Sequence, residues 1–412
     1  MTVPIDRDRF VATMQEQAEI GGTEGGGLHR LALSDEDREV RDWLTDQLED
    51  LGLTVRVDEF GNMFARREGT DPDAAPVLVG SHLDSQPYGG IYDGALGVVG
   101  ALELLRTLED EDIRTEHPIE IVNWTNEEGS RFQPAMQGSG VWIGEHDLEE
   151  QYETTDEDGN RFVDELERIG YRGDVPAEPQ EEYEAALELH IEQGPYLELD
   201  DKSVGVVTGV VGFYWGATTF YGEADHSGPT PMHYRNDALV AAADVITQIR
   251  RIPSTLGERT VGTVGYVDVE PNSINIIPDE VTMTWGFRDP SDDVVEQAKE
   301  RAVAESEMAA EREGVDWEWE KRMRSESVDF ADKCVDAVQG AADDLGYDNE
   351  QIYSGAGHDA AHLSKFCDTS MVFAPSEDGK SHNEDEYTSW EDCYKGANTL
   401  ANAALRIATP VE

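Results

Sequence analysis

At 412 residues the chain is longer than one hydrophobic core usually serves, so two domains are expected. Acidic residues outnumber basic ones 89 to 31, for a net charge of −58. No basic stripe exists to neutralise phosphates, which excludes a nucleic-acid-binding surface, and no apolar run is long enough for a transmembrane span.

The acids are dispersed along the chain and not gathered into one tail, a pattern expected of a halophilic protein from a salt-rich cytoplasm. Met1 to Phe10 is charged and lacks the apolar core of a signal peptide. Cys334, Cys367 and Cys393 are sparse and odd in number, which fits reduced thiols and a cytoplasmic location.

Phe10 to Ile20 reads as an opening helix, followed by the glycine-rich Gly21 to Gly27 and by His29, a structural or loop histidine. Ser34 is the expected N-cap of a helix over Asp35 to Asp50, where Val40, Trp43, Leu44 and Leu48 recur at helical spacing. Leu53 to Phe60 alternates as a strand does. The apolar run Val77 to Val79 reads as a buried strand that delivers His82 and Asp84 at its C-terminal end. A glycine-rich turn then brings Asp93, and Ala95 to Leu108 reads as a buried helix.

Imidazole and carboxylate at one strand end suit zinc, manganese or cobalt. In this reading Asp84 orients His82 and Asp93 binds metal directly. The plain alternative is a solvated loop carrying one chance histidine.

Ile119 to Thr125 is the next strand, and the βαβ rhythm predicts a mainly parallel α/β sheet with ligands beyond the carboxyl ends of its strands. This strand runs into Asn126-Glu127-Glu128-Gly129. Adjacent glutamates at a strand end point in different directions, so one can ligate metal while the other faces substrate as a base. A charged loop pair in a Glu-rich chain is the alternative. Tyr152 to Glu184 reads as surface helix and loop; Ala185 to His190 is a further apolar strand ending in a histidine.

From Val206 the texture changes. Val206 to Val211, Thr218 to Tyr221, Val261 to Val267 and Val281 to Phe287 read as strands, with helices over Asp237 to Arg250 and Val294 to Arg312. This predicts an α+β domain over residues 211–324, inserted into an α/β domain made of residues 1–210 and 325–412. A helix over Val328 to Leu345, the turn Ser354 to Asp359, a strand over Ser370 to Phe373, His382 in a loop and a helix over Trp390 to Arg406 complete the chain.

His82, Asp93, Glu128, His190 and His382 thus fall in loops after strands, and such a set suits a two-metal site bridged by Asp93. Two ions about 3.5–4 Å apart can share a hydroxide and polarise a carbonyl.

Gly80-Ser-His-Leu-Asp-Ser, Gly89 to Gly97, Asn126 to Phe132, His190-Ile-Glu-Gln-Gly-Pro, His226 to Met232, Pro271 to Pro278, Gly355-Ala-Gly-His-Asp and Ser381-His382 together resemble the hydantoinase/carbamoylase-type amidohydrolases. These are dinuclear enzymes related to aminoacylases and carboxypeptidase G, and the segments follow the family's order through nearly the whole chain.

The resemblance implies two divalent ions per subunit (zinc, manganese, cobalt or nickel), one on His82, Asp93 and His190, the other on Asp93, Glu128 and His382. It implies Glu127 as general base and His226 as the oxyanion-stabilising group. Arg288, Asn275 and the backbone of Gly355 and Gly357 would hold a substrate carboxylate, with Gln193 and His358 as further substrate contacts. It also implies a homodimer formed through the inserted domain, which closes over the site, with His226 serving the neighbouring subunit. His117, His146, His233 and His362 match no family role and read as structural.

The expected activity is cleavage of a C–N bond in N-carbamoyl-L-amino acids, with allantoate amidohydrolase and β-ureidopropionase as close rivals. A small-peptide exopeptidase or a silent binding protein are more distant ones. Three positions depart from the family: Gly286, where an acid often precedes the arginine, Ser227 in place of alanine, and Glu384 in place of proline.

Overall fold

A computed structural model describes residues 2–409. The chain forms two compact units, one running to Thr208 and resuming at Asp329, the other spanning Gly209–Val328.

The larger unit is built on a sheet of nine strands among the described residues. At its centre Ile119–Trp124, Val77–His82, Ala185–Ile191 and Thr369–Ala374 lie side by side and parallel. Every residue of these four strands is buried. Burial on both faces is why they read as continuous apolar runs and not as alternating ones. The helices Ala95–Asp110 and Trp390–Ala408 pack on each other and on this core. Gly97 permits that approach, since a Cβ there would lie 2.4 Å from the Leu189 carbonyl oxygen. Because the four strands run the same way, their C-terminal ends and the loops after them emerge at one end, where His82 closes its strand and the loops carry Glu127, Glu128, Gln193 and His382.

Several elements differ from expectation. The strand foreseen over Leu53 to Phe60 is only Val55–Val57, and the chain returns at once as Met63–Arg67. Asp58 makes the turn: its Oδ1 accepts from Phe60 N and Asn62 N, both at 2.9 Å, and Gly61 follows with φ 92°. The helix expected from Val328 starts at Asp332, since Val328–Asp329 pairs as a strand. Asp316–Ser325 and Asn349–Ser354 are strands that went unforeseen.

In the smaller unit the antiparallel order is Asp316–Ser325, Gly212–Tyr221, Glu280–Asp289, Val261–Glu270. Val281, Met283, Trp285 and Phe287 alternate toward the helices Ala238–Arg251 and Asp292–Glu313, whose Ala241, Val245, Ala298 and Ala302 complete the core.

Two features tie the larger unit together. Phe330 N donates to the Thr208 carbonyl at 2.8 Å, which closes the sheet where the chain leaves and re-enters. At the N-terminus Asn402 pairs with Val3 as a neighbouring strand would, accepting from Val3 N at 2.8 Å and donating to Val3 O at 2.9 Å, while Asn398 Oδ1 accepts from Ile5 N at 3.2 Å. All these groups are buried, so Asn402→Ala is expected to cost about 1–3 kcal/mol, read as a lower urea midpoint at unchanged m. An unchanged midpoint would show that this clasp adds nothing.

Candidate metal centre

His82 is 1% exposed and ends its strand. Its Nδ1 donates to the Asp84 backbone carbonyl at 3.0 Å, which leaves the lone pair on Nε2. That Nε2 is buried without a hydrogen-bond partner, 3.8 Å from Asp93 Oδ1 and 3.5 Å from Glu127 Oε2. An orphaned imidazole nitrogen among carboxylates is a ligand's geometry and a poor one for a core histidine. Gly94 makes room for it: with φ 64°, a Cβ there would sit 2.4 Å from the His82 ring.

Asp93 lies at the centre. Its Oδ1 is 2.8 Å from His190 Nε2 and its Oδ2 is 3.2 Å from His382 Nε2. His190 spends its other nitrogen on the Ile191 carbonyl at 2.9 Å. Glu128 Oε2 is 3.5 Å from His382 Nε2. Potential ligand atoms of His82, Asp93 and His190, and those of Asp93, Glu128 and His382, each lie within 4.8 Å of one another. A set of imidazoles and carboxylates sharing one aspartate fits two divalent cations.

Burial and the crowding of like charges shape the titration of this cluster. Burial, then the charges of Asp359, Glu128, Asp84 and Asp93, push the Glu127 carboxyl well above the usual range; burial and then Asp93 do the same to Glu128. Burial opposes a charge on His190, yet Asp93 and Glu188 raise it to about 9. Burial lowers His82 to about 4.

Asp84 sits otherwise than expected. Its backbone, not its carboxylate, takes the His82 proton; the carboxylate Oδ1 is 3.8 Å from Nδ1. The two carboxylate oxygens instead accept from Glu127 N and Glu128 N, each at 3.2 Å, so Asp84 fixes the glutamate pair. The sequence assigned no role to Gln86, and Ser381 entered only as part of the Ser381-His382 segment. Gln86 grips Glu128 through its backbone N at 3.0 Å and its Nε2 at 2.8 Å. Ser381 lies 3.3 Å from Asp93 Oδ2. Nothing in their spacing marks them.

Asn126, Gln193 and His382 hold left-handed backbones with φ of 55°, 57° and 58°. Each such conformation costs about 1–3 kcal/mol and persists only where its surroundings enforce it. Gln193 Nε2 reaches Asp93 Oδ2 at 3.0 Å and lies 3.2 Å from His382 Nε2. His358 is buried with its ring 4.5 Å from that of His190, and its Nε2 is 2.9 Å from Ser354 Oγ; Gly355 and Gly357 are exposed in the same turn. In the smaller unit, Asn275 Nδ2 is 3.5 Å from His226 Nε2, and both residues are exposed. Arg288 lies over the Phe213 ring at 5.6 Å and lines a groove of about 290 Å³ with Trp215, Thr284 and Gly286.

Comparison with known proteins gives the chain a family. The sequence pattern of Peptidase family M20/M25/M40 matches residues 78–406. The chain is 42% identical over 408 residues to the N-carbamoyl-L-amino-acid amidohydrolase of Rhizobium meliloti, covering 99% of this chain and 98% of that one. It is 37% identical over 407 residues to the enzyme of the same name from Geobacillus stearothermophilus, covering 98% and 99%. The crystal structure of a hydantoinase/carbamoylase family amidase from Burkholderia multivorans superposes with a TM-score of 0.95 at 46% identity, covering 99% and 100%.

Proposed function

Since the chain belongs to the M20/M25/M40 peptidase family, we propose that it hydrolyses N-carbamoyl-L-amino acids to the amino acid, carbon dioxide and ammonia. It is a metal-dependent amidohydrolase acting on C–N bonds other than peptide bonds. The observation that carries the reading is Asp93, one carboxylate facing His190 with one oxygen and His382 with the other.

His82, Asp93 and His190 would hold one ion, and Asp93, Glu128 and His382 a second, drawn from zinc, manganese, cobalt and nickel. When bound, the ions would supply a strong nucleophile from water at neutral pH and withdraw charge from the scissile carbonyl. Glu127 takes the water proton and passes it to the leaving nitrogen. Asp84 keeps Glu127 aimed at this task by holding its N–H at 3.2 Å. His226 donates to the oxyanion. Arg288, Asn275 and the Gly355 and Gly357 backbone hold the substrate carboxylate, with Gln193 and His358 completing the binding set.

Arg288→Ala is expected to raise KM about 10- to 100-fold with kcat little changed, as befits a lost charge-assisted contact; steady-state kinetics would show it. An unchanged KM would move the carboxylate site elsewhere.

The protein works as a homodimer in a salt-rich cytoplasm. The net charge of −58 supports the salt adaptation. For the dimer, the edge strand Val261–Glu270 exposes Val261, Tyr266 and Val267, apolar surface that a second copy would cover.

The test is ammonia release in molar KCl with added manganese or zinc. The panel is N-carbamoyl-L-amino acids, N-carbamoyl-β-alanine, allantoate and N-acetyl amino acids, the last followed by the free amino acid because their hydrolysis yields acetate and no ammonia. Release from the N-carbamoyl-L-amino acids alone supports the proposal. Release from allantoate or N-carbamoyl-β-alanine instead reassigns the substrate, and silence on every compound refutes the activity.

A further inference from the structure

Glu386 is a buried carboxylate to which the proposed chemistry gives no task. It lies four residues after His382 and is 6% exposed. Burying a carboxylate is costly unless donors satisfy it, and three do so here. Oε1 accepts from the backbone N–H groups of Tyr92 and Asp93, at 3.3 and 3.2 Å. Oε2 accepts from Ser381 Oγ at 2.9 Å. The same hydroxyl lies 3.3 Å from Asp93 Oδ2 and belongs to the residue before His382. One carboxylate therefore joins the loop that ends in Asp93 to the loop that carries His382. The fit is close: a Cβ on Gly90 would come within 1.9 Å of Glu386 Oε1, so the Asp93 loop is seated directly on this side chain.

We propose that Glu386 is a positioning residue that clamps these two loops together, so that its removal weakens both ion sites at once. The inference rests on the two-ion reading above. Asp93 is the ligand candidate common to both sets, and Glu386 holds its backbone N–H directly while its other oxygen holds Ser381, the residue before His382. Gln86 offers a built-in contrast. Its contacts go to Glu128, a member of one set only, so its loss weakens one ion and spares the other.

The geometry also separates shape from charge. Both backbone donors meet Oε1, so in Glu386→Gln the amide oxygen can take that place. The amide N–H₂ can then donate to Ser381 Oγ, whose own proton remains available to Asp93. Glu386→Ala removes every contact.

The experiment strips the full-length protein of metal in molar KCl and titrates it with cobalt or zinc. Ions retained after gel filtration in the same molar KCl are counted by elemental analysis, each affinity is measured by calorimetry, and the cobalt visible spectrum reports ligand geometry. The unaltered protein should bind two ions. Glu386→Ala should weaken both, by about 10- to 100-fold, the usual cost of losing a group that orients metal ligands. Glu386→Gln should restore both affinities and the unaltered cobalt spectrum, and Gln86→Ala should weaken one ion alone. Should the alanine variant fail to fold, Glu386→Asp, one methylene short of both loops, takes its place with the same expectation.

Two tightly bound ions in Glu386→Ala would overturn the clamp, as would a glutamine variant as weak as the alanine one. An unaltered protein that binds no ion would overturn the two-ion reading itself, and the clamp with it.

Discussion

Replacing Glu127 with glutamine is expected to lower kcat by about 10²–10⁴-fold while both ions stay bound. The two halves of this result come from different contacts. Glu127 lies outside both sets of ligand candidates, although its Oε2 is 3.5 Å from His82 Nε2. Glutamine keeps the size of the side chain and the backbone N–H that Asp84 holds, so position is preserved and only proton acceptance is lost. Single-turnover kinetics with parallel metal analysis would check it. Loss of an ion along with activity would make Glu127 a ligand, and an active variant would place the base elsewhere.

Transfer from molar salt to dilute buffer is expected to unfold the protein, seen as loss of far-UV circular dichroism and of activity. Two like charges 10 Å apart in water repel by about 0.4 kcal/mol before screening. The screening length is about 3 Å in 1 M salt and about 30 Å at 0.01 M, so dilution restores most of that repulsion. With 89 acids against 31 bases, roughly fifty such unbalanced pairs suffice to exceed the roughly 5–15 kcal/mol by which a domain is stable. Restoring salt, with sulfate as effective as chloride at equal ionic strength, should recover the fold if screening is the cause. Full activity in dilute buffer would refute the salt adaptation.

The features legible in the sequence were those set by local pattern. Apolar runs that lead to His82 and His190 declared both the strand and what it presents, because a parallel strand is buried along its whole length, even though Ser81 and Glu188 lie inside these strands and the second runs on to Ile191. The Glu127–Glu128 pair was half legible. Its place was clear, but which glutamate faces which way depends on Asp84 taking both backbone N–H groups, a contact spanning 43 and 44 residues. Asp84 itself was read as a partner for His82 because two residues is a natural reach; its backbone carbonyl made the better acceptor.

Glu386 and Gln86 gave no signal, since each acts on loops that meet only after folding. Asp316–Ser325 failed for another reason. It reads Asp-Trp-Glu-Trp-Glu-Lys, with charges on one face and a half-buried Trp317 and an exposed Trp319 on the other, so its partner Gly212–Tyr221 decides its state more than its own propensity does.

The hydrogen bond from Phe330 to Thr208 has a genetic corollary. All five ligand candidates lie on the two chain segments that this bond brings side by side, while His226, Asn275 and Arg288 lie on the stretch between. The ion-ligand candidates and three of the proposed substrate or transition-state contacts therefore lie on different stretches of one reading frame, while Gln193, Gly355, Gly357 and His358 stay with the ligand candidates. A lineage could exchange or lengthen parts of the middle stretch and leave the coding sequence for the ion ligands untouched, so that the contacts proposed for Arg288 and Asn275 can drift without altering a ligand codon.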